Sequence, residues 1–408
     1  MPDTIMHERP TLVVLASTYP RWSGDPEPGF VHELAKRLTD RFHVVALVPS
    51  APGAAKREML DGVEVIRYRY APRRFETLVN GGGIVNNLRR NRWKMFLVPT
   101  FVLAQAWRIW CLLRSRKVDV IHAHWLLPQG LIVALLGKLS RQAPPFLVTS
   151  HGADLFALRG KVLNALKRFV IRRAASTTVV SEAMREELAR LGADVDAVAV
   201  QPMGVDLISR FIPDIATERS RDEILFVGRL VEKKGLRHLI GAMPSILDTF
   251  PSAHLTVVGF GPEETERRAQ VEGLDLQDKI HFIGALSQRD LPARYQRAAV
   301  FVAPFVEASS GDQEGLGLVC LEAAGCGCPV VVSDLPATRN VLPEGEGSIR
   351  VGPSDSEKLA EAVRDILIRR DAHLRGVEVF REGIIRRFDW LAVSQNYAKI
   401  LEACIGHG

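Results

Sequence analysis

The chain has 408 residues, 47% hydrophobic and 25% charged, with a net charge of +6. That balance suits a globular protein of two ordinary domains and excludes a chain too polar to bury a core. Five cysteines, odd in number and mostly in apolar stretches, with Cys326 and Cys328 as a lone CxC, read as reduced core thiols rather than a disulfide framework or a zinc site. The first ten residues, MPDTIMHERP, carry acids and no apolar core, so no signal peptide is expected there.

Short β-branched runs alternate with amphipathic patterns from the start. Thr11–Ser17, His43–Pro49, Val118–His124, Pro145–His151, Ser176–Ser181 and Ala197–Pro202 read as buried parallel strands, with helices such as VHELAKRL and EAMREELARL between them. A second set follows in EILFVGRL, HLTVVGFG, KIHFIGAL, AAVFVAPF and PVVVSD. Residues 204–223 between the sets are polar, contain Pro213 and show no period, as a linker would. The expectation is an α/β chain of two doubly wound domains, residues 1–205 and 206–385, whose strand ends face a shared cleft. A final helix in 386–408, with Trp390, Leu391, Val393, Tyr397, Ile400 and Leu401 near helical spacing, is expected to pack back on the first domain.

Between Ile84 and Lys117 lie eight basic residues (Arg89, Arg90, Arg92, Lys94, Arg108, Arg114, Arg116, Lys117) and no acid. The apolar run inside, MFLVPTFVLAQAWRIWCLL, approaches the length of a membrane span, but Pro99, Gln105 and Arg108 interrupt it. A helix covering the first sheet is expected over Phe101–Leu113. For Ile84–Met95, with Trp93, an interfacial contact with an anionic membrane and a solvated basic face stand side by side.

In the second domain, ILFVGRLVEKKGL places Arg229 and Lys234 between a buried strand and a helix opening near Gly235. Two cations beside a helix start make an anion site, and a diphosphate fits it. Further on, GDQEGLGLVCLEAAGCGCPVVV sets Glu314 before a helical pattern and Glu322 eight positions later inside it. Free amides around Gly315–Val319 would point at another anion, and the glycines at 315 and 317 leave a ligand room to approach. Glu322, among apolar neighbours, needs a partner: vicinal hydroxyls of a ribose, or a salt bridge within the core.

GRLVEKKG followed by EGLGLVCLEAAGCGCPVVVSD resembles the retaining glycosyltransferases of family 4, which have the GT-B fold; TYPRWSGDPEPGFVHELAKRL, DVIHAHWLLPQGLIVALL and LVTSHGADL resemble further blocks of that family. The resemblance implies that Arg229 and Lys234 neutralise a leaving diphosphate, that Glu314 and His151 lie beside the transferred sugar, and that Glu322 holds the ribose. Gly228, Gly315, Leu316, Gly317, Leu318 and Val319 complete the implied donor set, with base contacts near Ile283–Leu286. Gly24, His124 and Asp154 fall on the acceptor side. Two departures stand out: Met203 replaces an Asn before Gly204, and Gly24 and Gly29 are separated where relatives have adjacent glycines.

The implied activity is metal-independent, retaining transfer from a UDP- or GDP-sugar to a hydroxyl acceptor, most naturally a lipid-linked saccharide of envelope polysaccharide or glycan synthesis. No cofactor and no nucleic acid are implied, and the expected location is cytoplasmic or peripheral on the inner face of the plasma membrane. The one tight DxD, Asp194-Val195-Asp196, lies away from these motifs, so no catalytic metal is expected. A nucleotide-sugar 2-epimerase and a non-catalytic nucleotide-sugar-binding protein are the rival readings. A nicotinamide dehydrogenase is disfavoured because GFGPEE lacks the third glycine of a dinucleotide loop.

Overall fold

The computed structural model describes residues 9–25, 29–80, 83–139 and 143–406, with the side chains at 86, 89 and 139 also left aside. The expectation of no leader at residues 1–8, and Arg89's part in the basic stretch, lie outside the described residues. Two compact units form. One comprises Met1–Val180, Arg185–Gln201 and Ser394–Gly408; the other comprises Ser181–Met184 and Pro202–Val393.

The first unit is built on an eight-stranded sheet of β1 (Thr11–Leu15), β2 (His43–Pro49), β3 (Arg57–Leu60), β4 (Val63–Tyr68), β5 (Val120–His124), β6 (Phe146–Ser150), β7 (Ser176–Val179) and β8 (Val198–Val200). Its order is β3-β4-β2-β1-β5-β6-β7-β8. Every neighbouring pair is parallel except β3 with β4, an antiparallel hairpin absent from the sequence reading. A signal for it exists: the two residues between those strands are Asp61 and Gly62, with φ of 46° and 83°, the dipeptide and backbone that a two-residue hairpin favours. Arg67 on β4 is buried and donates to the Pro20 carbonyl at 2.8 Å, which pins the loop after β1. The helices are α1 (Phe30–Arg37), α2 (Ile84–Arg90), α3 (Leu97–Ser115), α4 (Leu131–Leu139), α5 (Lys161–Arg173) and α6 (Glu182–Arg190), the last belonging here from Arg185.

Helix α3 carries two apolar stripes. Leu97, Phe101, Gln105, Ile109 and Leu112 are buried, as expected of a helix lying over the sheet. Phe96, Leu103, Trp107 and Trp110, at steps of seven, four and three, are exposed at 81%, 68%, 61% and 41%. Residues 92–115 are long and apolar enough to cross a bilayer, yet the inward stripe is committed to this unit's core. Of the basic residues in the same stretch, Lys94 donates to Thr77 and Asn87, Arg116 pairs with Glu64 and Lys117 with Asp119. Arg90, Arg92, Arg108 and Arg114 are exposed, as is Lys117 beside its carboxylate partner.

The second unit holds a six-stranded, all-parallel sheet: β9 (Glu223–Val227), β10 (His254–Val258), β11 (Ile280–Gly284), β12 (Val300–Ala303), β13 (Val330–Ser333) and β14 (Ser348–Val351), in the order β11-β10-β9-β12-β13-β14. Its helices are α7 (Leu236–Thr249), α8 (Glu264–Gly273), α9 (Leu291–Arg297), α10 (Leu318–Gly325), α11 (Ser356–Ile368), α12 (Arg370–Phe388) and the start of α13 (Trp390–Gly406). Ile224, Phe226, Leu239, Ile240, Leu255, Val257, Val302 and Val363 join in one core between sheet and helices. Each such side chain contributes roughly 1.5–3 kcal/mol by leaving water.

Residues 204–223 behave differently from a free linker. Val205, Leu207 and Phe211 are buried. The Val205 amide donates to the Phe388 carbonyl at 2.9 Å, and the Leu207 amide to Asp389 Oδ2 at 2.9 Å. A Cβ on Gly204 would meet the Trp390 ring at 2.5 Å, so only glycine lets this packing form. Apolar residues at 205, 207 and 211 within a polar context carried that signal. From Ser394 onward α13 belongs to the first unit, where Tyr397, Leu401 and Cys404 are buried and Tyr397 donates to the Gln201 carbonyl at 3.0 Å. Leu391, grouped with the apolar face in the sequence, is 59% exposed.

Candidate active site

In the second unit the strand order runs outward in both directions from the β9–β12 pair. That pair is the topological switch point, the crevice where ligands of open parallel sheets bind beyond the strands' carboxyl ends. The loops leaving β9 and β12 carry the candidate donor residues. Gly228 follows β9 directly with its amide on the Val258 carbonyl at 3.0 Å, Arg229 comes next, half-buried, and Lys234 closes a single 3-10 turn. Gly235 has φ of 66°, and a Cβ there would stand 1.7 Å from the Pro304 carbonyl oxygen. Glycine is what lets the two loops touch.

Lys234 Nζ reaches Glu314 Oε2 at 2.7 Å and lies 4.6 Å from the centre of the Phe305 ring. Lys233 approaches Asp312 Oδ1 at 3.3 Å. Burial pushes the Glu314 carboxyl up, but Lys234, Lys233 and the Gly317 amide outweigh it and hold the group down at about 2. Glu314 Oε1 accepts from the amides of Gly315 at 3.3 Å and Gly317 at 3.2 Å.

This corrects part of the expected anion site. The Gly315 and Gly317 amides are held by the protein's own carboxylate, because Gly317 adopts a left-handed φ of 81° and delays α10 to Leu318. Leu316, expected beside them, is buried. The first-turn amides of Leu318 and Val319 have no acceptor among the described residues.

Glu322 is buried one turn into α10, and no ion pair satisfies it among the described residues, which removes the core salt bridge as its explanation. Instead Tyr295 donates its hydroxyl to Glu322 Oε2 at 2.9 Å. Burial raises the Glu322 carboxyl to about 7 despite that bond. Tyr295 was not singled out in the sequence, and a lone tyrosine in RYQRAA offers nothing to find it by. Leu286 lies half-buried in the segment after β11.

In the first unit, His124 ends β5 and His151 follows β6, the two loops flanking one another. His124 Nδ1 and His151 Nε2 are 2.9 Å apart. Burial drives the His151 imidazole down to about 3 and His124 well below its ordinary value, so both rings are neutral. Asp154 is buried: it accepts from Ser150 Oγ at 2.9 Å and the Leu126 amide at 2.7 Å, tying the two loops together. His124 is 1% exposed and Asp154 2% exposed. Gly24 sits in the loop after β1 with φ of 80° and open space around it.

Among the described residues no group of three or more His, Cys, Asp or Glu side chains is arranged to hold a metal ion. Asp194 and Asp196 are exposed in the turn before β8.

Two Rossmann-like units, each with chemistry-bearing loops at the carboxyl ends of parallel strands, define the GT-B class of nucleotide-sugar transferases. The Glycosyl transferases group 1 family matches residues 209–377, and the Glycosyl transferase 4-like domain matches residues 30–204. The chain belongs to the group 1 glycosyltransferases. It is 32% identical over 294 residues to the phosphatidyl-myo-inositol mannosyltransferase of Mycobacterium leprae, covering 71% of this chain and 75% of that protein. It is 30% identical over 299 residues to a glycogen synthase of Mycobacterium tuberculosis, covering 70% of this chain and 69% of the other. Among solved structures, sucrose-phosphate synthase from Thermosynechococcus elongatus superposes with a TM-score of 0.79 at 21% identity, covering 98% of this chain and 100% of the other. The protein is a nucleotide-sugar glycosyltransferase.

Proposed function

We propose that this glycosyltransferase retains the anomeric configuration, needs no metal, and transfers a sugar from a GDP- or UDP-sugar to a hydroxyl of a lipid-linked acceptor in envelope glycan synthesis. The carrying observation is the switch-point constellation: Lys234, Arg229 and the open amides of Leu318 and Val319 around β9 and β12. Breaking a sugar–phosphate bond loads negative charge onto the departing diphosphate, and fixed cations and amides stabilise that charge most in the transition state. Glu314, ionised and anchored, is assigned to the transferred sugar; Glu322 is assigned to the ribose diol, where its carboxylate accepts from both hydroxyls. His151 is assigned to a donor-sugar hydroxyl. The leaving phosphate takes the acceptor proton on the sugar's own face, so no separate base is required.

Relatives named as GDP-mannose-dependent phosphatidylinositol monomannoside mannosyltransferases support a GDP-sugar donor and a lipid acceptor. The outward stripe of α3, with Phe96, Leu103, Trp107 and Trp110 beside Arg90, Arg92, Arg108 and Arg114, supports peripheral contact with an anionic membrane. On this reading the enzyme works at the cytoplasmic face.

The test is a thermal-shift screen of GDP- and UDP-sugars, followed by transfer assays with and without EDTA and NMR of the product's anomeric proton. A true donor raises the melting point by mass action. Retained configuration and full activity in EDTA are expected. Inversion, or loss on chelation with rescue by magnesium or manganese, overturns the mechanism.

A further inference from the structure

His151 is the last member of a buried aromatic and hydroxyl array, and that array constrains more than its position. Its ring lies nearly in plane with that of His124, 12° apart with centroids at 5.1 Å. With nitrogens 2.9 Å apart, that separation is what an edge-to-edge imidazole–imidazole hydrogen bond requires, since it equals the N···N distance plus two ring radii. Phe30 closes on His151 at 4.9 Å and Trp125 at 5.2 Å, both inclined, which fixes the ring plane. Behind His124, the His122 ring lies 4.1 Å away by centroids. His122 Nε2 contacts Thr149 Oγ1 at 2.7 Å and Thr149 contacts Thr178 at 2.6 Å; the Tyr397 ring lies 5.5 Å from that of His122, and its hydroxyl donates to the Gln201 carbonyl.

The proton inventory of this array has one economical solution. A hydrogen bond between two neutral imidazoles uses one N–H and one bare nitrogen. His124 Nε2 is buried and has no partner, as is His122 Nδ1. An orphaned buried N–H is costlier than a bare ring nitrogen in the same place, since the donor forfeits a bond that the surroundings cannot replace. His124 therefore carries its proton on Nδ1 and donates it to His151 Nε2. His151 in turn carries its proton on Nδ1, the nitrogen with no protein partner among the described residues.

We propose that His124, backed by His122, Thr149, Thr178 and Tyr397, is a positioning residue that holds His151 in the Nδ1–H tautomer, so that His151 meets the donor sugar as a hydrogen-bond donor and not as a base. This rests on the assignment of His151 to the donor sugar. Tyr397 is buried beneath the array: its hydroxyl ends the run from His122 on a carbonyl, and the His122 ring backs His124 by ring contact.

Long-range 1H–15N correlation spectra of the histidine-labelled, full-length protein at neutral pH read the tautomer directly, without substrate. The expected result is His151 protonated at Nδ1 alone. His124→Ala should release His151 to the mixture dominated by the Nε2–H form that imidazole adopts in water, while His124→Asn, whose amide can donate from a similar place, should restore Nδ1–H. Turnover should fall roughly ten- to a hundredfold in His124→Ala with the donor KM changed far less, and recover in His124→Asn. Should His124→Ala fail to fold, Tyr397→Phe, which removes one hydroxyl, should broaden the His122 and His124 resonances. An Nε2–H tautomer for His151 in the unmodified protein, or an unchanged tautomer in a folded His124→Ala variant, overturns the proposal. If the tautomer is as stated and His151→Ala transfers sugar normally, the positioning by His124 stands and the assignment of His151 to the sugar falls.

Discussion

Lys234 Nζ stands 2.7 Å from Glu314 Oε2, and both side chains are about 15% exposed or less. The cation assigned to the diphosphate is thus held by the carboxylate assigned to the sugar. Donor binding on this reading is an exchange of partners within a preformed site, with Glu314 keeping its two amides as Lys234 turns to phosphate.

Lys234→Ala should lower kcat about 10²–10³-fold, and Arg229→Ala comparably, since each removes charge stabilisation made in the transition state. Lys234→Ala should also cost about 2–4 kcal/mol of stability by leaving a buried carboxylate unpaired. In the unmodified protein the depressed Glu314 contributes stability above pH 4.5 that is lost as pH falls towards 2. Urea denaturation should show that acid limb flattened in Lys234→Ala, and Lys234→Ala with Glu314→Gln should recover most of the loss. Near-normal transfer by both single variants would reject the phosphate assignment.

Glu322 moves in the opposite direction. Its carboxyl titrates near 7 in the folded protein and near 4.5 when unfolded, so the native state binds the extra proton between those values. Its contribution is present below pH 4.5 and is lost as pH rises through 7. Glu322→Gln should therefore be more stable than the unmodified protein at pH 8, by up to roughly 3 kcal/mol, with the gap closing towards pH 4.5. The same variant should bind nucleotide more weakly and no longer distinguish ribo- from 2′- or 3′-deoxyribonucleotides. Calorimetry showing equal discrimination in both proteins would remove Glu322 from the ribose.

The outward face of α3 predicts co-sedimentation with anionic vesicles at low ionic strength, fading at high salt. Each exposed arginine contributes about 1 kcal/mol near such a surface. Reversing Arg90, Arg92 and Arg108 to Glu should abolish the salt-sensitive part. Trp107→Ala with Trp110→Ala should weaken binding at all salt concentrations, because the paired rings, 4.9 Å apart, supply apolar burial instead of charge. Lys94→Glu should have a smaller effect than Arg92→Glu, its ammonium being occupied by Thr77 and Asn87. No sedimentation of the unmodified protein at low salt would make this a solvated face.

Gly235→Ala should destabilise the second unit severely, by more than about 3 kcal/mol, because the added methyl meets the Pro304 carbonyl and the backbone is left-handed. Reduced soluble yield and a separate, lowered melting transition are the expected readings; an unchanged melting curve would mean that the two loops part without cost.

The parallel strands were legible because they obey a local rule, β-branched runs for buried strands; the glutamate pair was singled out by a spacing that resembles the family's, and by the cost of a carboxylate among apolar neighbours. The hairpin of β3 and β4 was legible too, through Asp61–Gly62, but its strands are short and REML lacks a β-branched residue. Helix α3 was ambiguous for a physical reason: it is apolar on two faces, so periodicity could not say which one the protein keeps. The partners of the site residues were not legible at all. Tyr295 under Glu322, Lys234 against Glu314, and His122, Thr149 and Tyr397 behind His124 meet only through long-range folding, and no spacing in one sequence encodes such meetings.

The last helix has a bearing on how the protein is made. Ser394–Gly408 belongs to the same unit as β1, and Tyr397 lies under a ring on β5. A ribosome releases those residues only after the whole second unit has been synthesised. The first unit emerges early yet stays unfinished, with its histidines lacking their floor, until Ser394–Gly408 have emerged; residues 1–201 expressed alone should behave as a loosened, aggregation-prone fragment, and adding Ser394–Gly408 as a separate peptide should tighten it.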